Sequence, residues 1–327
     1  MYYILSSSTI SHQNTFEKKG FSASISALNN LSELIQPNYK DYIESSMLRR
    51  MSGIIRMSIC CALDCIKQSA IKEPEAIIVG TGLGCLFDTE NFLNNMLTAN
   101  DNLISPTSFI QSTHNTIAGQ LSILLKNHNY NMTHTQNSLS FERAIQDGML
   151  CLDEGKGSVL VGAADEHTKI LDDISKKLDY TGLHLTSGAS FFMISKNKNV
   201  NTNVKIAATA AYRGAISIND TITDFFTENE ITSDTIDLIL YSSIDVSLKK
   251  NLHAFFNETL LLDYQKYCGI YFSNSAFAVH LAIDILEQKK VKFEFITDES
   301  KNIKRILVCN NLNDANLGLT LIESIET

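Results

Sequence analysis

Apolar residues along this chain fall into two alternating patterns. Short continuous runs sit between longer stretches in which apolar positions return every three or four residues. Residues 46–70 carry Met47, Leu48, Met51, Ile54, Ile55, Ile59 and Ala62 at helical spacing and predict one helix. Further helices are predicted over residues 115–125, 141–153, 246–258 and 276–288. Residues 76–80 (AIIVG) and 158–164 (SVLVGAA) are unbroken apolar runs, which a sheet covered on both faces requires. Other strands are predicted over residues 2–5, 191–195, 204–211, 236–241, 305–310 and 317–323. The alternation is that of an α/β protein with central sheets and helical faces. It begins again near residue 200, which predicts two similar halves, residues 1–200 and 201–327. No Pro-, Gly- or Ser-rich linker separates them, so they are expected to share a core.

Composition narrows the functional classes. A chain of 327 residues, 44% hydrophobic and 19% charged, has room for two domains and is too apolar for wholesale disorder. Lys and Arg number 27 against 36 Asp and Glu, a net charge of −9, which argues against a nucleic-acid-binding face. No run approaches the roughly 18 apolar residues of a membrane span, and the first residues lack the basic start of a secretory signal. Seven cysteines are scattered from Cys60 to Cys309, unlike the dense framework of a small secreted domain. A reducing cytoplasm is the expected setting.

Most single motifs read as packing. Gly80, Gly82 and Gly84 follow a strand, but the third glycine falls one residue early for a dinucleotide fingerprint, so a tight turn is expected. Gly155-Lys156-Gly157-Ser158 precedes a strand rather than a helix and is another turn. Cys60, Cys61 and Cys65 share a helix without a matching His pair, which fits core cysteines better than zinc. His128 and His134 are expected on the surface or in loops. No metal and no cofactor are implied.

One ordered block stands out. Ser105-Pro106 opens a polar stretch that leads to Asn115, Ala118 and Gly119. Residues 137–145 follow, then Gly155, then an apolar strand ending Ala163-Ala164-Asp165-Glu166. Downstream lies Ser187-Gly188-Ala189-Ser190-Phe191-Phe192-Met193-Ile194. With the glycine turn before it and Arg49-Arg50-Met51 on the early helix, this set resembles the β-ketoacyl-(acyl carrier protein) synthases of the thiolase superfamily. The resemblance covers roughly residues 46–215 and fades afterwards. It implies a thiolase fold, with two βαβαβ-type halves in a five-layer α/β/α/β/α sandwich.

The departures from that family concern its chemistry. Condensation needs a Cys thiolate to accept the acyl chain and two His to support decarboxylation and the oxyanion. Counting from Asn115 and from Glu166 puts Ser138 at the Cys position. Ser242 stands near the place of the first His and Tyr271 near that of the second, while His280 lies too far along its helix. The family's glycine-rich loop is reduced to Asn310-Asn311-Leu312-Asn313-Asp314-Ala315-Asn316. Cys85 and Cys151 have no base matched to them by spacing. The chain is also shorter than the synthases it resembles, with the shortfall expected in loops after Glu166 and in the second half.

The resemblance therefore implies a chain-length factor: a catalytically inactive subunit in a heterodimer with an active β-ketoacyl synthase. Such factors shape the acyl tunnel in polyketide, aryl-polyene or fatty-acid-like biosynthesis, and the acyl carrier protein is met through the active subunit. An edge strand around residues 132–137 is expected at the dimer contact. Residues 106–114 are expected to face the partner's pocket, with Ser108, Phe109, Ser112 and His114 as tunnel or interface residues. Two other readings stay open: an acyl-transferring or acyl-hydrolysing enzyme with Ser138 as nucleophile, and a homodimeric scaffold on the same fold.

Overall fold

The structure is a computed structural model that describes residues 1–98, 106–178, 184–214, 217–244, 246–257, 259–288, 303–312 and 316–325. The first half runs β1 (Tyr2–Ile10), α1 (Ser45–Leu48), α2 (Gly53–Ser69), β2 (Ala76–Gly80), α3 (Leu86–Thr98), α4 (Pro106–Gln111), α5 (Thr116–Leu125), β3 (Tyr130–His134), α6 (Ser140–Asp153), β4 (Val159–Asp165), α7 (Lys169–Lys177) and β5 (Gly188–Ser195). The second runs β6 (Val204–Arg213), α8 (Ile218–Glu228), β7 (Leu238–Ser243), α9 (Val246–Phe256), β8 (Leu260–Asp263), α10 (Gln265–Cys268), α11 (Ser275–Gln288), β9 (Arg305–Asn311) and β10 (Asn316–Ser324).

The strand order is β3-β2-β4-β5-β1-β6-β10-β9-β7-β8. Adding five to each strand number of the first half gives the second half, read from the opposite end. The pairing directions repeat as well. β2 is parallel to β3 and β4, and β5 is antiparallel to β4 and β1. β7 is parallel to β8 and β9, and β10 is antiparallel to β9 and β6. The halves meet where Tyr2, Tyr3 and Ile4 pair with Ile206, Lys205 and Val204.

Successive strand residues point to opposite faces, and this divides the core into three clusters. Ile77, Val79, Leu160 and Phe191 face outward, under α2 and α5. Ala76, Ile78, Val159 and Val161 face inward, onto α6 and α11. The same two central helices also take Leu238, Leu240, Ile306 and Val308 from the second half. Ile239, Leu307, Leu319 and Leu321 turn to the other outer layer, where they meet Ile222 and Phe225 of α8 and Leu252 of α9. The result is five layers, α/β/α/β/α, the arrangement expected of a thiolase fold.

Two expectations change. The single helix over residues 46–70 is broken into α1 and α2. Ser52 takes extended backbone (φ −70°, ψ 172°), and the Arg56 guanidinium donates to the freed Leu48 carbonyl at 2.8 and 3.1 Å. Arg49-Arg50-Met51 therefore lies in a break rather than on a helix. His134 ends a strand instead of a loop, and its Nε2 meets Asp147 Oδ2 at 2.9 Å. His128 is exposed, as expected.

Gly80 ends β2 where α6 begins. A Cβ there would stand 2.5 Å from the Ser140 carbonyl oxygen and 2.8 Å from the Phe141 nitrogen. These are backbone atoms and can yield only if α6 moves. Gly80→Ala is expected to destabilise the chain by roughly 1–3 kcal/mol, measured as a lower urea midpoint at unchanged m-value.

Candidate functional site

The site grows from the carboxyl ends of β2 and β4. Asp165, the last residue of β4, is buried, and its carboxylate would be costly there without donors. The glycine turn supplies three of them: Thr81 Oγ1 at 2.9 Å, Gly82 N at 2.9 Å and Leu83 N at 3.0 Å. Ser273, from the second half, donates through its backbone N at 3.0 Å and its Oγ at 2.7 Å. Burial pushes the Asp165 pKa up, and these donors pull against it. The close approach needs a glycine, because a Cβ on Gly82 would lie 2.3 Å from Phe272 Cβ.

The strand-to-helix turn after β3 carries the nucleophile in the family this chain resembles. Its apex here is Asn137, which holds left-handed backbone at φ 57°. Asn is among the few non-glycine residues that accept this conformation readily. Ser138 lies one residue past the apex and is buried. Its hydroxyl accepts from Asn316 Nδ2 at 3.3 Å, its carbonyl accepts from Asn310 Nδ2 at 2.7 Å, and no imidazole bonds it among the described residues. The same Asn310 amide donates to Glu142 Oε1 at 2.9 Å, and burial raises the Glu142 pKa. The second half thus clamps the turn through two carboxamides.

A cavity of about 570 Å³ opens beside the turn, lined by Asn137, Glu166, Tyr271, Phe272, Ile244 and Leu312, among others. Its far wall is α7. Leu171, Ile174 and Leu178 form an apolar stripe along that helix and its end, and Ile174 and Leu178 stay 46% and 59% exposed. Glu166 Oε1 accepts from Phe87 N at 3.0 Å, at the start of α3. Burial, with the nearby charges of Asp88 and Asp165, raises the Glu166 pKa to about 7.

The residues singled out from the sequence do not all gather here. Tyr271 lines the cavity, with its hydroxyl over Gly188 and its pKa raised by burial. Ser242 is buried in β7, paired in the ladder with Asn310, and is not a lining residue. Ser108, Phe109, Ser112 and His114 lie on and just after α4, away from this cavity. Phe109 stacks on Phe92 of α3 with ring centroids 5.6 Å apart, Ser112 O accepts from Thr89, and His114 lies against Gly84. All seven cysteines are buried and unpaired. Burial lifts the thiols of Cys60, Cys65 and Cys309 to about 12 and raises Cys85 and Cys151 as well, so none is poised as a thiolate. His280 is a packed neutral histidine: its Nδ1 lies 2.8 Å from Thr9 Oγ1, and burial lowers its pKa to about 3. No cluster of metal-ligating side chains occurs among the described residues.

Sequence counting missed Asn137 and α7. The left-handed apex is Asn137, and Ser138, the residue counted onto the nucleophile position, follows it. The stripe at positions 171, 174 and 178 has helical spacing, but five charged residues from Lys169 to Lys177 mask it in composition.

Two measurements check this geometry. Asn137→Cys is expected to take one carboxamidomethyl group from iodoacetamide while the native thiols and Ser138→Cys stay unmodified, read by intact mass. The raised carboxyl of Glu166 favours the fold fully below pH 4.5, and that contribution, up to roughly 3 kcal/mol, is lost as pH rises through about 7. Glu166→Gln should therefore match wild type near pH 4 and be the more stable protein near pH 8 in urea melts.

Comparison with known proteins agrees with this architecture. No curated protein matches the sequence. Among solved structures, the ishigamide ketosynthase/chain length factor aligns at TM-score 0.79 and 12% identity, covering 99% of both chains. A β-ketoacyl synthase from Burkholderia phymatum STM815 aligns at 0.78 and 11%, again over 99% of both. The ketosynthase ApeO in complex with its chain length factor ApeC, from Xenorhabdus doucetiae, aligns at 0.77 and 11%, over 99% of this chain and 98% of that one. The model of the β-ketoacyl synthase N-terminal domain matches residues 27–220, more than half of the sequence. This chain belongs to the β-ketoacyl synthase family.

Proposed function

We propose that this chain is a ketosynthase-like partner subunit without condensing activity of its own. It pairs with an active β-ketoacyl synthase and shapes the acyl tunnel at the shared interface. The observation that carries the reading is Asn137. A carboxamide stands at the apex of the turn, where condensation requires a thiolate. Ser242 and Tyr271 stand in for the two histidines, and neither can hold a proton-donating cation at neutral pH. Ser138 meets carboxamides rather than a base, which leaves little support for an acyl-enzyme through its hydroxyl.

The surface supports pairing. α3 leaves Phe87, Leu93, Met96 and Leu97 exposed, and α4, packed on it, leaves Phe109 and Ile110 each 57% exposed. Among the described residues β3 is the edge of the sheet, with exposed Tyr130 and Met132. Apolar surface on this scale marks a protein contact. Two of the similar structures are ketosynthase–chain length factor pairs, which favours a synthase as occupant over a second copy. In this reading Phe109 and Ile110 reach towards the partner's pocket, Ser108, Ser112 and His114 support them, and the acyl carrier protein docks on the active subunit. Polyketide, aryl-polyene or fatty-acid-like biosynthesis in the cytoplasm is the setting.

Co-expression with the cognate synthase and carrier protein tests this. A one-to-one complex is expected, with condensing activity that the chain alone lacks. Phe109→Ala should lengthen the product and Met132→Arg should weaken the complex at least tenfold. Recovery of a homodimer that ignores the synthase supports a scaffold instead. Carrier-protein acyl transfer by the chain alone, abolished in Ser138→Ala, supports an enzyme.

A further inference from the structure

The seam between the two halves opens into a separate cleft. β1 pairs with β6 only through Tyr2, Tyr3 and Ile4, and its register shifts between Ile4 and Ser6. Just past that point Leu5, Ser6 and Ser7 line a cavity of about 380 Å³, in the range of small-molecule sites. It shares no lining residue with the cavity beside Asn137. Its inner groups are acceptors. Helical spacing brings His280, Ile283, Asp284 and Glu287 to one face of α11, towards the cleft. Thr9 Oγ1 spends its hydrogen on Ser190 Oγ at 2.8 Å, so His280 Nδ1 must donate to Thr9, at 2.8 Å, and Nε2 carries a bare lone pair. His280 is only 6% exposed, and its Nε2 has no partner among the described residues. Glu287 is half-buried and makes no hydrogen bond or ion pair there; burial raises its pKa, with Lys19 and Asp284 pulling in opposite directions. Asp64 and Asp284 are buried with uncharged donors only: Ser8, Tyr42 and Gln68 for one, the Gly20 and Ser22 amides for the other. Such donors satisfy hydrogen bonds without cancelling charge. The cations of the cleft stand outside. Lys18, Lys19 and Lys67 are exposed, and Lys67 is held by Glu17 at 3.4 Å.

We propose that this cleft binds a small zwitterion of the amino-acid class, a primary ammonium and a carboxylate joined by a short aliphatic spacer. The ammonium goes inward and donates to His280 Nε2 and the Glu287 carboxylate. The carboxylate stays at the mouth, with Lys18 and Lys19, and Leu5 and Ile283 flank the spacer. A simple amine would lack an anion for the lysines, and a simple carboxylate would lack a donor for the inner acceptors. Binding is non-covalent and ties β1 to α2 and α11. It does not depend on the partner-subunit reading, since a chain that pairs with no synthase could still hold this ligand.

Calorimetric titration of the full chain with 5-aminopentanoate, pentylamine and pentanoate at neutral pH tests it. One site per chain is expected for 5-aminopentanoate, weaker binding for pentylamine and none for pentanoate. Glu287→Gln, which removes an unpaired acid, should weaken 5-aminopentanoate about tenfold without lowering the melting temperature. The double variant Lys18→Ala, Lys19→Ala should weaken 5-aminopentanoate about threefold and leave pentylamine no weaker, because exposed ion pairs are worth little. The NMR resonance of His280 Nε2 should move upfield as the ligand is added, a shift that a purely structural histidine would not show. Absence of binding, pentanoate as tight as 5-aminopentanoate, wild-type affinity in Glu287→Gln or in the double lysine variant, or an unmoved His280 resonance would overturn the proposal.

Discussion

The Asp165 carboxylate is the constraint from which the rest of the site follows. A buried acid is tolerated only with donors on both oxygens, and these come from two distant parts of the chain: the turn after β2 and the residue two positions before α11. Satisfying it fixes the distance between the two halves at that point. Leu83, itself a donor, and Phe272, next to Ser273, both line the cavity. Removing the charge would leave several buried N–H and O–H groups without an acceptor, each costing on the order of 1–3 kcal/mol. The glycines of the turn follow from the same need, since a side chain on Gly82 would occupy the space of Phe272.

The turn carrying Asn137 is held in a comparable way from the other side. Asn310 and Asn316 flank the shortened loop of the second half, and their amides take up the Ser138 carbonyl and hydroxyl. Carboxamides satisfy the backbone of the turn. The second half thus holds the turn by neutral hydrogen bonds to the carbonyl and hydroxyl of Ser138.

The fold was legible because burial on both faces leaves an unmistakable record. The runs 76–80 and 159–164 carry no polar side chain, and their alternate residues do enter different layers. The order of motifs from Ser105 to Glu166 was equally readable in the sequence. Ser138, the residue counted onto the nucleophile position, sits one past the left-handed apex. The acids at 165 and 166 are interchangeable on paper, and only hydrogen bonds reveal which one is swallowed by the glycine turn. The break before Gly53 was hidden because the helical periodicity continues across it. The strand Leu260–Asp263 and the helix Lys169–Lys177 escaped for opposite reasons: one is too short to show a period, and the other is too charged to resemble a wall.

The repeated topology gives the molecule two geometrically equivalent sheet ends, β3 and β8. Were both equally adhesive, one molecule's β3 could dock on the next molecule's β8, and nothing would stop growth into a filament. The two ends are not dressed alike. β3 presents exposed Tyr130 and Met132, whereas β8 has four residues, all half-buried, before the chain turns into α10. The internal symmetry of the fold is thus broken at its margins.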